Sequence, residues 1–161
     1  MPRAWLSIGS NQDPARNVRE AVARLRAAFG RVAVSPVYES EAVGFAGEPF
    51  YNLVAGIDTD LPVAELRRAL RAIEDAQGRV RGPDKFASRT LDIDLLTYGD
   101  ARQPAEGLPR GEILEYAFVL GPLADVAPNE RHPTAGQRYG DLWAAFDRAS
   151  QPMRRLDFDW D

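Results

Sequence analysis

Arg89-Thr-Leu-Asp-Ile-Asp-Leu-Leu-Thr-Tyr98 sets two carboxylates at i and i+2 inside an otherwise apolar segment. Read as a strand over 90–98, it places alternate side chains on one face, so Asp92 and Asp94 project together while Leu91, Ile93 and Leu95 point the other way. This strand closes the order β-α-β-β-α-β over the first part of the chain. That order predicts an α+β fold with a ferredoxin-like core, an antiparallel sheet with helices packed on it, followed by C-terminal helical additions.

Working outward, residues 3–9 read as the first strand, and Gly9-Ser10-Asn11 leads through Pro14 into a helix with Val18, Val22, Leu25 and Phe29 at helical spacing, stopped by Gly30. Residues 32–40 predict the second strand, 41–49 a loop with Gly44 and Gly47, and 50–59 a third strand antiparallel to the second. Asp60-Leu61-Pro62 opens the second helix, with Asp60 as candidate cap and Leu66, Leu70 and Ile73 on its buried side; the helix ends before Gly78. Beyond Tyr98 the chain is irregular to Gly111. Residues 116–126 then predict a short helix or turn and 139–149 a final helix, before an acidic-aromatic tail, Leu156-Asp-Phe-Asp-Trp160. Without repeats or domain linkers, 1–161 is expected to form a single domain.

Composition narrows the chemistry. At 161 residues, 45% hydrophobic and 27% charged, the chain has an ordinary globular balance, and its apolar runs are far too short for a membrane span. The absence of cysteine excludes disulfides, thiolate catalysis and cysteine-ligated metals. The single histidine, His132, cannot furnish a zinc site and sits in a poor context for a catalytic triad. A net charge of −4 argues against broad nucleic-acid binding. The N-terminus runs into a strand without a signal or transit pattern, so the expected location is cytoplasmic, with small molecules as partners.

The chemistry converges on the Asp pair and its upstream neighbour, Gln77-Gly-Arg-Val-Arg-Gly-Pro-Asp-Lys-Phe-Ala-Ser-Arg89, where Arg79, Arg81, Lys85 and Arg89 face only one acid, Asp84. Adjacent like charges on a strand are costly unless a cation compensates them. Mg²⁺ needs only one or two protein carboxylates, because water and phosphate oxygens complete its octahedron. Carboxylates beside a basic loop therefore point to Mg²⁺ with a polyphosphate.

The segments Ile8-Gly-Ser-Asn11, Tyr38-Glu-Ser-Glu-Ala-Val-Gly44, Pro49-Phe-Tyr-Asn52, Glu74 with Gln77-Gly-Arg79, Arg89-Thr-Leu-Asp-Ile-Asp94, and Phe118-Val-Leu-Gly-Pro-Leu123 followed by Ala127-Pro128 stand in this order along most of the chain. Together they resemble the 6-hydroxymethyl-7,8-dihydropterin pyrophosphokinases of folate synthesis, which move the terminal pyrophosphoryl unit of ATP to the pterin hydroxymethyl group and release AMP. The resemblance implies a catalytic set of Arg79, Arg89, Asp92 and Asp94, with the two aspartates holding two Mg²⁺ ions. It also implies nucleotide contacts from Glu74, Arg81, Lys85, Phe86, Leu95 and Arg110, the basic loop closing over ATP. For the pterin it implies a sandwich between Phe50 and Phe118, with Asn52 on the amide edge of the ring and Ser40 and Val43 completing the pocket.

The chain departs from the family pattern over Leu108-Pro-Arg-Gly-Glu-Ile-Leu-Glu-Tyr-Ala-Phe118. Arg110 stands where the family has a His, Gly111 follows it, and Tyr116 replaces an Arg, all at positions that contact ATP phosphates in the family. Glu39 and Glu41 add acids to the first loop. Three readings follow: a working pyrophosphokinase with a rewired phosphate site, a paralogue that keeps the pocket and metal pair for another substrate or for binding alone, and a ligand-binding regulatory module of the same fold.

Overall fold

The computed structural model describes residues 1–40, 49–78 and 91–160. Strand β1 (Arg3–Ser10) is buried almost throughout, with Ala4, Leu6 and Ile8 entering one core and Trp5 another. A strand apolar on both faces belongs in the middle of a sheet, and β1 lies between β4 (Phe50–Asp58) and β5 (Asp92–Tyr98). Helix α1 (Pro14–Phe29) presents Val18, Ala21, Val22 and Leu25 to the first core and stops at Gly30, whose φ of 84° suits a residue without a Cβ.

The expected second strand is two pieces, β2 (Ala33–Val34) and β3 (Tyr38–Ser40), both paired with β4. Pro36 has no N–H for the ladder. Ser35 spans the break: its N–H donates to the Val54 carbonyl at 2.9 Å, and its Oγ accepts from Val54 N–H at 2.9 Å. Helix α2 (Val63–Ala76) corrects one expectation, because Pro62 rather than Asp60 holds the N-cap position and no side chain caps it. The turn before it is fastened instead by Leu61 N–H donating to Thr59 Oγ1 at 3.1 Å.

Helices α3 (Glu112–Glu115), α4 (Ala117–Val126) and α5 (Tyr139–Ala144) follow, α5 ending well before residue 149. The tail contributes a short strand, β6 (Arg154–Arg155). The sheet order β5-β1-β4-β3-β6, antiparallel at every pairing, sets the four core strands of the βαββαβ unit in the ferredoxin-like sequence fourth, first, third, second.

The two faces differ. Helices α1 and α2 cover the first, over Leu6, Ile8, Leu53, Ile57, Ile93 and Leu95. The C-terminal helices cover the second at the end carrying Trp5, Val54 and Leu96. Strand alternation sends Leu95 into the first core and Leu96 into the second, and a register shift between Trp5 and Leu6 skips Leu96 and sets Thr97 opposite Trp5. Among the described residues no helix is long and apolar enough to cross a membrane.

Gly56 shows how tightly the second face is closed: a Cβ there would lie 2.8 Å from Trp5 Cε3. Gly56→Ala is therefore expected to destabilise by about 1–3 kcal/mol in urea unfolding. Gly111→Ala, with nothing within 4 Å of its Cβ position, should leave stability unchanged or slightly raised.

Candidate active site

The site begins with strand register. Gly9 pairs with Asn52 on one side and Asp92 on the other, Tyr38 pairs with Asn52, and Ser7 pairs with Asp94. Asp92, Gly9, Asn52 and Tyr38 thus form a row across the second face, with Asp94 and Ser7 in the adjacent row. Asn52 is buried and its amide donates to Ser40 Oγ at 3.2 Å. A Cβ on Gly9 would come within 2.8 Å of Asn52 Oδ1, so glycine leaves a flat strip of backbone between carboxylate and amide.

Strand β5 is the outer strand, and a cleft of about 260 Å³ runs along it, lined by Arg67, Leu70, Arg71 and Glu74 of α2, by Asp92 to Leu95, and by Arg110. Glu74 is buried and fixes this edge, its Oε2 accepting the Ile93 N–H at 2.7 Å. Arg110 is anchored by its backbone N–H on the Leu96 carbonyl at 2.9 Å. Its guanidinium pairs with Glu112 and lies 3.8 Å from Asp94 Oδ1. On the opposite wall Arg67 bridges to the Glu106 carboxylate at 3.1 Å.

Burial, then the neighbouring charge of Asp92, pushes the Asp94 carboxyl up to about 6, against the opposing pull of Arg110. A carboxylate pair so disfavoured as two free charges suits a hard divalent cation. Asp92 and Asp94 fit that role. Among the described residues no larger cluster of three acidic or histidine side chains is available for a metal.

Residues 5–128 match the family model described as 7,8-dihydro-6-hydroxymethylpterin-pyrophosphokinase (HPPK). The chain belongs to this family. A relative in Pseudomonas aeruginosa, named 2-amino-4-hydroxy-6-hydroxymethyldihydropteridine pyrophosphokinase, is 41% identical over 89% of this chain and 91% of its own length. One of the same name in Methylorubrum extorquens is 39% identical over 80% of this chain and 85% of its own. The wild-type Plasmodium falciparum HPPK-DHPS crystal structure with pterin and p-hydroxybenzoate superposes with a TM-score of 0.70 at 14% identity. That alignment covers 89% of this chain but only 42% of the longer one, a likeness of fold. An HPPK is an ATP-dependent diphosphotransferase of folate synthesis.

Of the HPPK residues expected from sequence, Asp92 and Asp94 share the second face, opposite Ile93 and Leu95 as the strand pattern requires. Ser40, Phe50 and Asn52 come together on β3 and β4, and α4 lies across those strands with half-buried Phe118 in its first turn. Tyr116 stacks on Phe118, ring centroids 5.1 Å apart and planes 18° apart. Glu74, Leu95 and Arg110 all line the cleft, although one oxygen of Glu74 serves the strand backbone. Val43, Arg79, Arg81, Lys85, Phe86 and Arg89 lie outside the described residues. Ahead of the last five, Gln77 Nε2 donates to the Asn17 carbonyl at 3.0 Å and ties the end of α2 to α1.

Of the α2 wall, sequence reasoning named Glu74 and missed Arg67, Leu70 and Arg71. Arg67, Arg71 and Glu74 stand at i, i+4 and i+7, a polar stripe on one helical face that pointed to a shared surface. Leu70 was expected only in the core; it is buried and also lines the cleft.

In the metal-free protein, Asp94 should titrate near pH 6 when followed by carboxyl ¹³C NMR, staying protonated below that value. Asp92→Asn should bring this midpoint part of the way down, since burial is the larger cause.

Proposed function

We propose that the cleft along β5 receives ATP, that the floor beside Gly9 receives the hydroxymethyldihydropterin, and that Asp92 and Asp94 stand between them. The observation that carries this reading is the double placement of Asp92, which lines the cleft and also neighbours Gly9 across the strand pair. Donor and acceptor on either side of one carboxylate pair is the arrangement that in-line phosphoryl transfer needs.

On this reading the pterin ring lies on the Gly9 strip between Phe50 and Phe118, and the Asn52 amide, steadied by Ser40, bonds the ring edge. The acceptor hydroxyl then faces Asp92. Its oxygen forms the new bond to the β-phosphorus, the bridge to the α-phosphate breaks, AMP carries away that electron pair, and the hydroxyl proton passes to solvent. Two Mg²⁺ ions held by Asp92 and Asp94 would neutralise the triphosphate and make the hydroxyl easier to ionise. Arg71 and Arg110 supply fixed positive charge to the cleft, and Arg110 takes over with its own cation the phosphate contact that family members make with a His. Tyr116 contributes no charge where the family has an Arg; it buttresses Phe118 instead.

By resemblance, Arg79, Arg81, Lys85, Phe86 and Arg89 complete the nucleotide side and Val43 the pterin side. We further take residues 1–161 to act as one cytoplasmic domain whose partners are its two small substrates.

The test is AMP release from Mg²⁺-ATP with and without 6-hydroxymethyl-7,8-dihydropterin. Wild type should form AMP only with the pterin, and Asp92→Ala should abolish it. Arg110→Ala should raise the KM for ATP about ten- to hundredfold, matching a lost charge-assisted contact of about 1.5–3 kcal/mol. Pterin binding without AMP formation would redirect the search to another substrate.

A further inference from the structure

The C-terminal tail lies beyond residues 5–128, the span that matches the family model. Its side chains nevertheless reach both walls of the pocket assigned above to the pterin. On one wall the Gln151 amide clamps the junction of α3 and α4: its Oε1 accepts from Ala117 N–H at 2.9 Å and its Nε2 donates to the Glu115 carbonyl at 2.9 Å. Tyr116, at the N-cap of α4, makes no side-chain cap, so Gln151 satisfies from a distance one of the donors that a helix start leaves open. The next residue is Phe118. The tail then passes against α4, where a Cβ on Gly121 would meet Met153 Cε at 2.5 Å.

On the other wall β6 pairs with β3, Arg155 opposite Tyr38, and Leu156 N–H donates to the Val37 carbonyl at 2.8 Å. The Arg155 guanidinium donates to the Tyr38 hydroxyl and to Asp125 Oδ1, each at 3.0 Å, and Tyr38 itself donates to Asp125. Asp125 belongs to the last turn of α4. The helix bearing Phe118 is thus held at both ends by the tail, and its far end is tied to the strand that carries Ser40 and faces Asn52. Past the edge, Phe158 packs on Tyr51 at 6.3 Å, with the Arg19 guanidinium 4.8 Å from its ring, so the tail is anchored on the opposite face of the sheet.

We propose that residues 151–156 are a strap that sets the separation of the two pterin-pocket walls, with Gln151 and Arg155 as positioning residues for the pterin and not for ATP. The inference rests on the pocket assignment under Proposed function. Its selectivity follows from topology: the strap holds the β3 edge, whereas the nucleotide cleft runs along β5 at the other side of the sheet.

The experiment measures the affinity of 6-hydroxymethyl-7,8-dihydropterin and, separately, of a non-hydrolysable Mg²⁺-ATP analogue for Gln151→Ala, Arg155→Ala, Arg155→Lys, Asn52→Ala and Phe118→Ala, with thermal unfolding of each. Gln151→Ala and Arg155→Ala should each weaken pterin binding about three- to tenfold, with analogue affinity held within about twofold. Arg155→Lys should recover part of the loss; with Gln151→Ala it carries the test if Arg155→Ala does not fold. Weakened pterin binding in Asn52→Ala and Phe118→Ala, but not in the tail variants, would overturn the strap alone. Equal losses of both ligands in the tail variants, in step with falling stability, would also overturn it. Unchanged pterin affinity in Asn52→Ala and Phe118→Ala would remove the pocket assignment, and the strap with it.

Discussion

A sheet whose central strand is buried on both faces has to keep the charges of its site at an edge or on the uncovered end of one face, because a charge enclosed without a partner is too costly. Here both conditions meet in the outer strand β5. Ile93 and Leu95 fill the core beneath α1 and α2, and the intervening Asp92 and Asp94 emerge where the C-terminal helices leave the second face open. Glu74 holds that outer strand by its Ile93 N–H, and the β1 register sets Gly9 and Asn52 beside Asp92. Shifting β5 by one residue would turn both carboxylates into the core, so packing and site specify the same register.

The electrostatics of the cleft follow from this placement. Burial and mutual repulsion raise the Asp94 carboxyl, and Arg110, itself shared with Glu112, offsets only part of that. A second positive charge is therefore favoured at the pair, and on the function proposed above a nucleotide polyphosphate arriving with its cation would satisfy the carboxylates and the arginines together. The permanent charge of Arg110, 3.8 Å from Asp94, partly compensates that carboxylate before any ligand enters.

Much of this was legible because it depends on short periods. The alternation of Leu91-Asp-Ile-Asp-Leu95 gave the strand and its two faces, and the βαββαβ order gave the sheet. What escaped was long-range or locally weak. The split of the second strand turns on Ser35 lending its hydroxyl to the ladder beside Pro36, a role invisible without the partner strand. The short β6 has no hydrophobic pattern of its own; it exists because β3 offers an open edge and Arg155 finds Tyr38 and Asp125 there. Beyond Glu74, the contribution of α2 to the cleft was hidden because Leu70, read as core, serves both surfaces, and Asp60 was mistaken for a cap because the Thr59 hydroxyl organises that turn.

The claim that most else depends on is that Asp92 and Asp94 bind nucleotide through a divalent cation. Calorimetric titration of a non-hydrolysable ATP analogue, with and without Mg²⁺, addresses it directly in wild type and in Asp94→Asn. The account predicts strong Mg²⁺-dependent binding that the substitution largely removes. Equal affinity with and without Mg²⁺, or an Asp94→Asn protein that retains the full metal dependence, would contradict it.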